Sequence, residues 1–228
     1  MSTTTEGNHR TFLLYTYFGS TCSARIIIAA KLLGIHLELS HVDLAQGSHQ
    51  SDSFGAINPS HAVPALVVRD SEEKETVLTQ SIAILEYFEE INMGSLLLPP
   101  ADHPQDRAKV RELVGIIASD IFPPINGRLA QKVRRIRGEV KDQIEWVHGI
   151  MAAGFASYEA LLKDCGGKYS FGDKVTMADV CLVPAFDMAM GYKLDLTPYP
   201  TVKGIYDELI KLDVFKKENW AVKGEMSE

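Results

Sequence analysis

The fold is decided by the stretch Phe12-Leu13-Leu14-Tyr15-Thr16-Tyr17-Phe18-Gly19-Ser20-Thr21-Cys22-Ser23-Ala24-Arg25. Its apolar start predicts a β-strand over 12–16, and the apolar residues that continue to Leu33, just before Gly34, predict a helix over 22–33. Hydroxyls and a thiol therefore stand at a helix start, where main-chain N–H groups lack internal partners and favour anions. Such a place can hold a bound thiol as its thiolate.

Ser20 is the first candidate to act on that thiol. A free thiol has a pKa of about 8.5 and is mostly protonated at pH 7. A hydrogen bond to a charged group contributes about 1.5–3 kcal/mol, and a helix start adds about 0.3–1 kcal/mol. Together these lower a thiol pKa by roughly 1.5–3, which makes the thiolate dominant. The structural alternative is that Ser20 only caps the helix.

Cys22 and Arg25 follow on the same predicted helix, and each has two interpretations. Cys22 is either a reactive thiol near the helix start or a small buried packing residue. Arg25 lies about one helical turn further on and either attracts a carboxylate or forms a structural ion pair.

Two further segments suit an extended peptide ligand. Val63-Pro64 precedes a predicted strand, and a bend there offers the main-chain groups of Val63 for β-type pairing. Gln80-Ser81 opens a predicted helix, where the Ser81 hydroxyl and exposed N–H groups suit a carboxylate. The alternative for Ser81 is an ordinary helix cap.

The order of elements predicts an α/β domain followed by an all-α domain. Strands over 12–16, 36–42, 65–69 and 75–78 and helices over 22–33 and 80–91 form a β-α-β, irregular link, β-β-α order, typical of a small mixed sheet. Pro99-Pro100 marks the boundary, so we predict domains at 10–97 and 103–220. The second domain has helices predicted over 103–121 and 140–162, from Thr176 and from Pro200, with a break at Pro123-Pro124.

The Thr176-Met-Ala-Asp179 segment has the pattern of a capping box preceded and followed by valine. We therefore predict that Asp179 holds a helix start and takes no part in chemistry.

Composition narrows the class of protein. The 228 residues carry a formal net charge of −7, which argues against a nucleic-acid partner. The three cysteines, Cys22, Cys165 and Cys181, match neither a disulfide framework nor a zinc site, so we expect reduced thiols and no metal. No apolar run reaches the ~20 residues of a membrane span, and the polar start is no secretory signal. We expect a soluble cytosolic protein with no membrane partner.

Together these motifs resemble the zeta class of the glutathione transferase family, over about residues 11–216. The class motif appears as Ser20-Thr21-Cys22-Ser23-Ala24-Arg25. The Asn58-Pro59, Val63-Pro64 and Gln80-Ser81 pairs are similar to glutathione-site motifs of the wider family. The segments 172–184 and 195–201 are similar to zeta-class segments almost residue for residue.

The resemblance implies a thioredoxin-like N-terminal domain, an all-helical C-terminal domain, a homodimer and glutathione as cofactor. It implies that Ser20 meets the sulfur, that Val63 pairs with the cysteinyl backbone, and that Gln80 and Ser81 hold the γ-glutamyl carboxylate. Thr21 and Pro64 are implied as further residues of the glutathione site. Gln50 is implied at the glycyl end. The implied activity is cis–trans isomerisation of the maleylacetoacetate type, in aromatic amino-acid catabolism.

The substrate side departs from the class pattern. A class arginine that binds the substrate carboxylate corresponds to Gly191, a polar position corresponds to Phe122, and a usual tryptophan corresponds to Ala24, which predicts extra room near the site. We expect a small electrophile to bind between the domains, lined by Ser20, Cys22, Arg25, Phe122, Asn126 and Gly191. A general transferase or dehalogenase, and a non-catalytic binding protein of the same fold, are the alternatives.

Overall fold

The computed structural model describes residues 10–92, 96–217 and 221. The chain divides into two compact units, and the division falls between Phe88 and Glu89. The domain bounds expected from the sequence, 10–97 and 103–220, stay predictions.

The first unit is built on a four-stranded mixed sheet, as the order of its elements predicts. Its elements are β1 (Thr11–Thr16), α1 (Thr21–Leu33), β2 (Glu38–His41), α2 (Asp52–Ile57), β3 (Ala65–Arg69), β4 (Glu75–Thr79) and α3 (Ser81–Ile91). The strand order is β2-β1-β3-β4, with β1 parallel to β2 and antiparallel to β3. A 3₁₀ turn at Ser48–Gln50 and helix α2 occupy the link that was expected to be irregular. Both are too short to show a helical period in the sequence.

Apolar side chains of α1, α3 and the central strands form the core of this unit. The buried set includes Leu14, Ile26, Ile28, Leu66, Ile84 and Leu85. Phe12 meets Phe88 edge to face, with ring centroids 5.9 Å apart. Helix α1 ends at Gly34, whose φ of 68° is the left-handed conformation that glycine adopts without a Cβ penalty.

The described part of the second unit is helical throughout, with one isolated bridge between Gly166 and Gly172. Its helices are α4 (Pro104–Gly115), α5 (Phe122–Ile125), α6 (Gly127–Arg137), α7 (Val140–Cys165), α8 (Met177–Gly191) and α9 (Pro200–Leu209), and a π-helical segment, Ile116–Ile121, joins α4 to α5. Pro123-Pro124 lies inside α5, and the break follows at Asn126. Helix α6 was not predicted from the sequence; it is strongly charged, and Ala130 is its single buried residue.

Helix α7 is the central helix of this unit. Val147, Met151, Phe155, Tyr158 and Leu162 are buried along one of its faces, at the spacing of a helical stripe. Gly154 lies in the same stripe, and a Cβ there would stand 2.3 Å from Cγ1 of Ile121. The π-helical segment therefore approaches α7 more closely than any residue with a side chain allows.

No helix in the described ranges combines the length and the apolar character that a bilayer span requires.

Candidate active site

Sheet register brings three of the predicted site segments to one edge of the first unit. Tyr15 in β1 is paired with Ala65 in β3, and Ala65 is paired with Thr79 in β4. The end of β1, the start of β3 and the end of β4 therefore lie side by side. The segments next to them, which hold Ser20, Val63-Pro64 and Gln80-Ser81, converge at this edge.

Ser20 caps helix α1, as the structural alternative supposed. Its Oγ accepts a hydrogen bond from the Ser23 N–H at 3.1 Å, and its own N–H donates to the Tyr17 carbonyl at 2.9 Å. The cap uses the hydroxyl only as an acceptor, so the hydroxyl proton can still be donated to a ligand. Capping and donation to a thiolate are therefore compatible roles for one half-buried side chain.

Thr21 and Cys22 occupy the first turn of α1 and are both half-buried, and Cys22 is a free thiol. Two residues further on, Ala24 is only 1% exposed. This position faces the core of the unit, and the extra room expected from the missing tryptophan stays a prediction.

The loop before β3 is held in place by Asn58, which is only 3% exposed. Its Nδ2 donates to the Ala62 carbonyl at 2.6 Å, and its Oδ1 accepts from the Ser60 N–H at 2.9 Å. The Val63-Pro64 bond that follows is cis. In the sequence, the Asn58-Pro59 pair is a turn signal that indicates this role for Asn58, beyond its place in a motif.

His61 and Gln50 belong to the neighbouring part of this unit. His61 has a φ of 50°, and its Nδ1 lies 2.8 Å from the His49 carbonyl, which ties this loop to the 3₁₀ turn that contains Gln50. Gln50 itself is exposed. Its contact with the glycyl end of a ligand stays a prediction.

Gln80 and Ser81 form the junction between β4 and α3. Gln80 is exposed and has a φ of 72°, a left-handed conformation that is uncommon outside glycine and often marks a functional site. Ser81 is 7% exposed, and its Oγ accepts a hydrogen bond from Nη1 of Arg25 at 3.0 Å. The Ser81 hydroxyl proton therefore points away from Arg25 and can be donated to an anion.

Arg25 is 1% exposed and lies among the core residues of α1. Its guanidinium reaches the start of α3 rather than the protein surface. The structure thus favours a supporting role for Arg25, in which it acts on Ser81, over direct contact with a substrate carboxylate.

The second unit contributes the remaining predicted residues. Phe122 begins α5 and is 8% exposed, and Asn126 caps α6 by accepting from the Arg128 N–H at 3.0 Å. Gly191 ends α8, is exposed, and has no atom within 4 Å of where a Cβ would lie.

Two side chains of α7 form hydrogen bonds with main-chain carbonyls next to these residues. Trp146 donates to the Pro124 carbonyl at 2.9 Å, and His148 Nε2 lies 2.7 Å from the Tyr192 carbonyl. Because Trp146 and His148 are two residues apart, their side chains leave α7 in nearly opposite directions. The grouping of Gly191 with Phe122 and Asn126 stays a prediction.

Asp179 forms the predicted capping box at the start of α8. It is fully buried, and its carboxylate accepts from the Thr176 N–H at 2.7 Å, the Thr176 hydroxyl at 3.1 Å and the Ser170 N–H at 2.8 Å. Tyr158 extends the network by donating to the Ser170 hydroxyl at 2.9 Å. Burial raises the pKa of Asp179, although these donors act against the rise. The predicted capping box is confirmed, and the absence of a chemical role for Asp179 stays a prediction.

Comparison with known protein families identifies both halves of the chain. Residues 19–91 match the family described as glutathione S-transferase, N-terminal domain, and residues 136–213 match glutathione S-transferase, C-terminal domain.

Individual relatives are similar over nearly the whole chain. Maleylacetoacetate isomerase of Emericella nidulans is 41% identical over 211 residues, which cover 91% of this chain and 90% of that protein. The holo structure of a maleylpyruvate isomerase, a bacterial zeta-class glutathione S-transferase, matches with a TM-score of 0.83 and 36% identity, covering 94% of this chain and all (100%) of the other. A maleylacetoacetate isomerase from Anaeromyxobacter dehalogenans with bound glutathione matches with a TM-score of 0.83 and 32% identity, covering 94% and 96%.

Proposed function

The chain belongs to the glutathione S-transferase family, and on that premise we propose that it is a glutathione-dependent cis–trans isomerase of the maleylacetoacetate type. The observation that carries the proposal is the convergence of Ser20, Val63-Pro64 and Ser81 at one edge of the sheet. Relatives that bear this activity in their names, at 41% and 39% identity, support the same reaction.

The residues at this edge fit glutathione by their chemistry. Ser20 offers a hydroxyl proton at the N-terminus of α1, where a thiolate is favoured. Ser81 offers a hydroxyl proton at the start of α3, with the Arg25 cation behind it, which suits a carboxylate. Main-chain groups of Val63 lie between these two segments and suit an extended peptide.

When bound, glutathione supplies a thiolate that adds to the activated cis double bond, allows rotation about the resulting single bond and leaves again as the trans double bond forms. The protein has three tasks in that reaction. Ser20 keeps the sulfur ionised, the β1–β3–β4 edge orients the peptide, and the helix start of α1 favours negative charge next to the reacting carbons.

We further propose that the enzyme works as a homodimer in the cytosol, in the catabolism of aromatic amino acids. The three free thiols at Cys22, Cys165 and Cys181 support a reducing compartment.

A general transferase or dehalogenase is the second candidate, and Gly191 favours it. Without a side chain at this exposed position, the helical unit lacks the cation that the class pattern places there for a substrate carboxylate. An electrophile that carries no carboxylate would then be served as well as maleylacetone.

The test compares electrophiles and variants of Ser20. Purified protein is assayed with and without glutathione against maleylacetone, halogenated acids and a chloronitrobenzene. Ser20→Ala should lower kcat/KM for the preferred electrophile by roughly 10–150-fold, since it removes a hydrogen bond of about 1.5–3 kcal/mol to the thiolate. Ser20→Thr keeps the hydroxyl and should retain most of the activity.

Ser51→Ala is the control variant for the loss of a helix cap. Ser51 caps α2 by accepting from the Phe54 N–H at 3.2 Å and also donates to the Ser48 carbonyl at 2.9 Å, so this variant loses a cap in the same unit without touching Ser20. We expect it to keep wild-type turnover. Wild-type activity in Ser20→Ala would reduce Ser20 to a cap, and faster turnover of the chloronitrobenzene than of maleylacetone would favour the transferase.

A further inference from the structure

We infer that Arg25 is a positioning residue, which acts through Ser81 to fix and charge the subsite for the γ-glutamyl carboxylate of glutathione. The inference deepens the proposed function and rests on glutathione binding at this edge.

The geometry of the pair carries the first step. Arg25 Nη1 donates to Ser81 Oγ at 3.0 Å, and the bond is buried and joins residues 56 positions apart. A serine oxygen that accepts from a guanidinium keeps its own proton for another acceptor. Arg25 therefore orients the Ser81 hydroxyl as a donor toward a ligand at the start of α3.

Electrostatics carries the second step. At 1% exposure the guanidinium lies in surroundings that screen its charge less than water does. Ser81 also begins α3, whose first N–H groups lack intrahelical acceptors. The cation, the hydroxyl and the helix start thus all favour negative charge in the same place.

The placement of Arg25 in α1 carries the third step. Ser20 caps this helix and Arg25 follows five positions later, so one rigid element holds both the proposed sulfur contact and the support of Ser81. The distance between the thiolate subsite and the carboxylate subsite is therefore set by α1 together with the Arg25–Ser81 bond. The arginine fixes the ligand through its neighbour without meeting the substrate itself.

The experiment measures binding, which separates this role from activity. Dissociation constants are determined by calorimetry for glutathione and for an analogue in which the γ-glutamyl α-carboxylate is a carboxamide. Wild-type protein should prefer glutathione by roughly 10–150-fold, the range expected for a charge-assisted hydrogen bond. Arg25→Met should lose most of that preference and leave binding of the carboxamide within about twofold of wild type.

Three companion variants sharpen the result. Ser81→Ala should lose the same preference, and adding Arg25→Met to it should cause little further loss, because both act on one contact. Arg25→Lys should restore part of the preference. Arg107→Met removes a half-buried arginine, one that donates to the Pro99 carbonyl at 2.6 Å, and should leave the preference unchanged.

A purely structural arginine would weaken glutathione and the carboxamide equally, and that result would overturn the inference. If Arg25→Met does not fold, Arg25→Lys and Ser81→Ala decide the matter, since an unchanged preference in both overturns it as well. Maleylacetone turnover is recorded separately. If wild type prefers glutathione over the carboxamide but does not isomerise maleylacetone, the proposed function alone is refuted. If wild type isomerises maleylacetone but shows no such preference, the inference alone is refuted.

Discussion

Replacing Asp179 by alanine should destabilise the protein while leaving the chemistry of the folded fraction intact. The carboxylate is fully buried and accepts from two main-chain N–H groups, those of Ser170 and Thr176, and from the Thr176 hydroxyl. Alanine would leave these donors buried without an acceptor.

The magnitude follows from the number of main-chain donors. A buried donor left without a partner costs about 1–3 kcal/mol, so the two N–H groups together cost about 2–6 kcal/mol. That exceeds the ~0.5–2 kcal/mol of an ordinary lost cap, because the same carboxylate also holds the Ser170 main chain. A loss of about 4 kcal/mol corresponds to a fall in Tm of roughly 8–16 °C for a chain of this size.

The assay is thermal and urea unfolding of the variant beside Asp173→Ala. Asp173 is an exposed aspartate in the preceding loop, and it accepts one main-chain bond, from the Lys168 N–H at 3.1 Å. Asp173→Ala should therefore change the free energy of unfolding by no more than about 1 kcal/mol. Glutathione affinity, measured below the unfolding transition, should match wild type in both variants.

The pH dependence of the effect has a definite sign. Burial raises the pKa of Asp179, so the folded protein holds a proton on this group more readily than the unfolded chain, in which an aspartate has a pKa of about 3.9. The stability contributed by this group is full below about pH 3.9 and declines as the pH rises through the folded-state pKa. The advantage of wild type over Asp179→Ala should therefore be larger at pH 5 than at pH 8.

Equal unfolding temperatures for wild type and Asp179→Ala, together with lost isomerisation, would refute the structural assignment. The carboxylate would then act in the reaction rather than in the start of α8.

Two further substitutions test the site. Cys22→Ala should lower kcat/KM less than Ser20→Ala does, because Cys22 supplies no cap and its thiol is a weaker hydrogen-bond donor than a hydroxyl; a larger loss would give Cys22 the leading role. Gly191→Arg should raise kcat/KM for maleylacetone about 1.5–5-fold, the effect of an exposed ion pair worth ~0.2–1 kcal/mol, since no atom lies within 4 Å of the new Cβ. Gly149→Arg adds the same charge at another exposed helical glycine with equal space and should have no effect, and an equal gain in both would show that general attraction is responsible.

Local patterns determined the elements and the candidate residues. The apolar run before Gly19, the stop at Gly34 and the Thr176-x-x-Asp179 box each depend on neighbours within about one helical turn, so the sequence alone predicts β1, α1 and the cap of α8. Helices α2 and α6 were not predicted, because α2 has only six residues and α6 is strongly charged and buries only Ala130.

The relations between distant segments were decided only by the tertiary structure. Pairing of Tyr15 with Ala65 and of Ala65 with Thr79 brings the three ligand segments to one edge, and no local pattern specifies that register. From the sequence alone, Arg25 has two possible roles: it attracts a carboxylate or forms a structural ion pair. Ser81, one hydrogen-bond partner that the structure supplies, is 56 residues away and meets the guanidinium only because α1 and α3 pack in one core. Burial of Ala24 has the same origin, since which face of a helix meets the sheet depends on the whole fold.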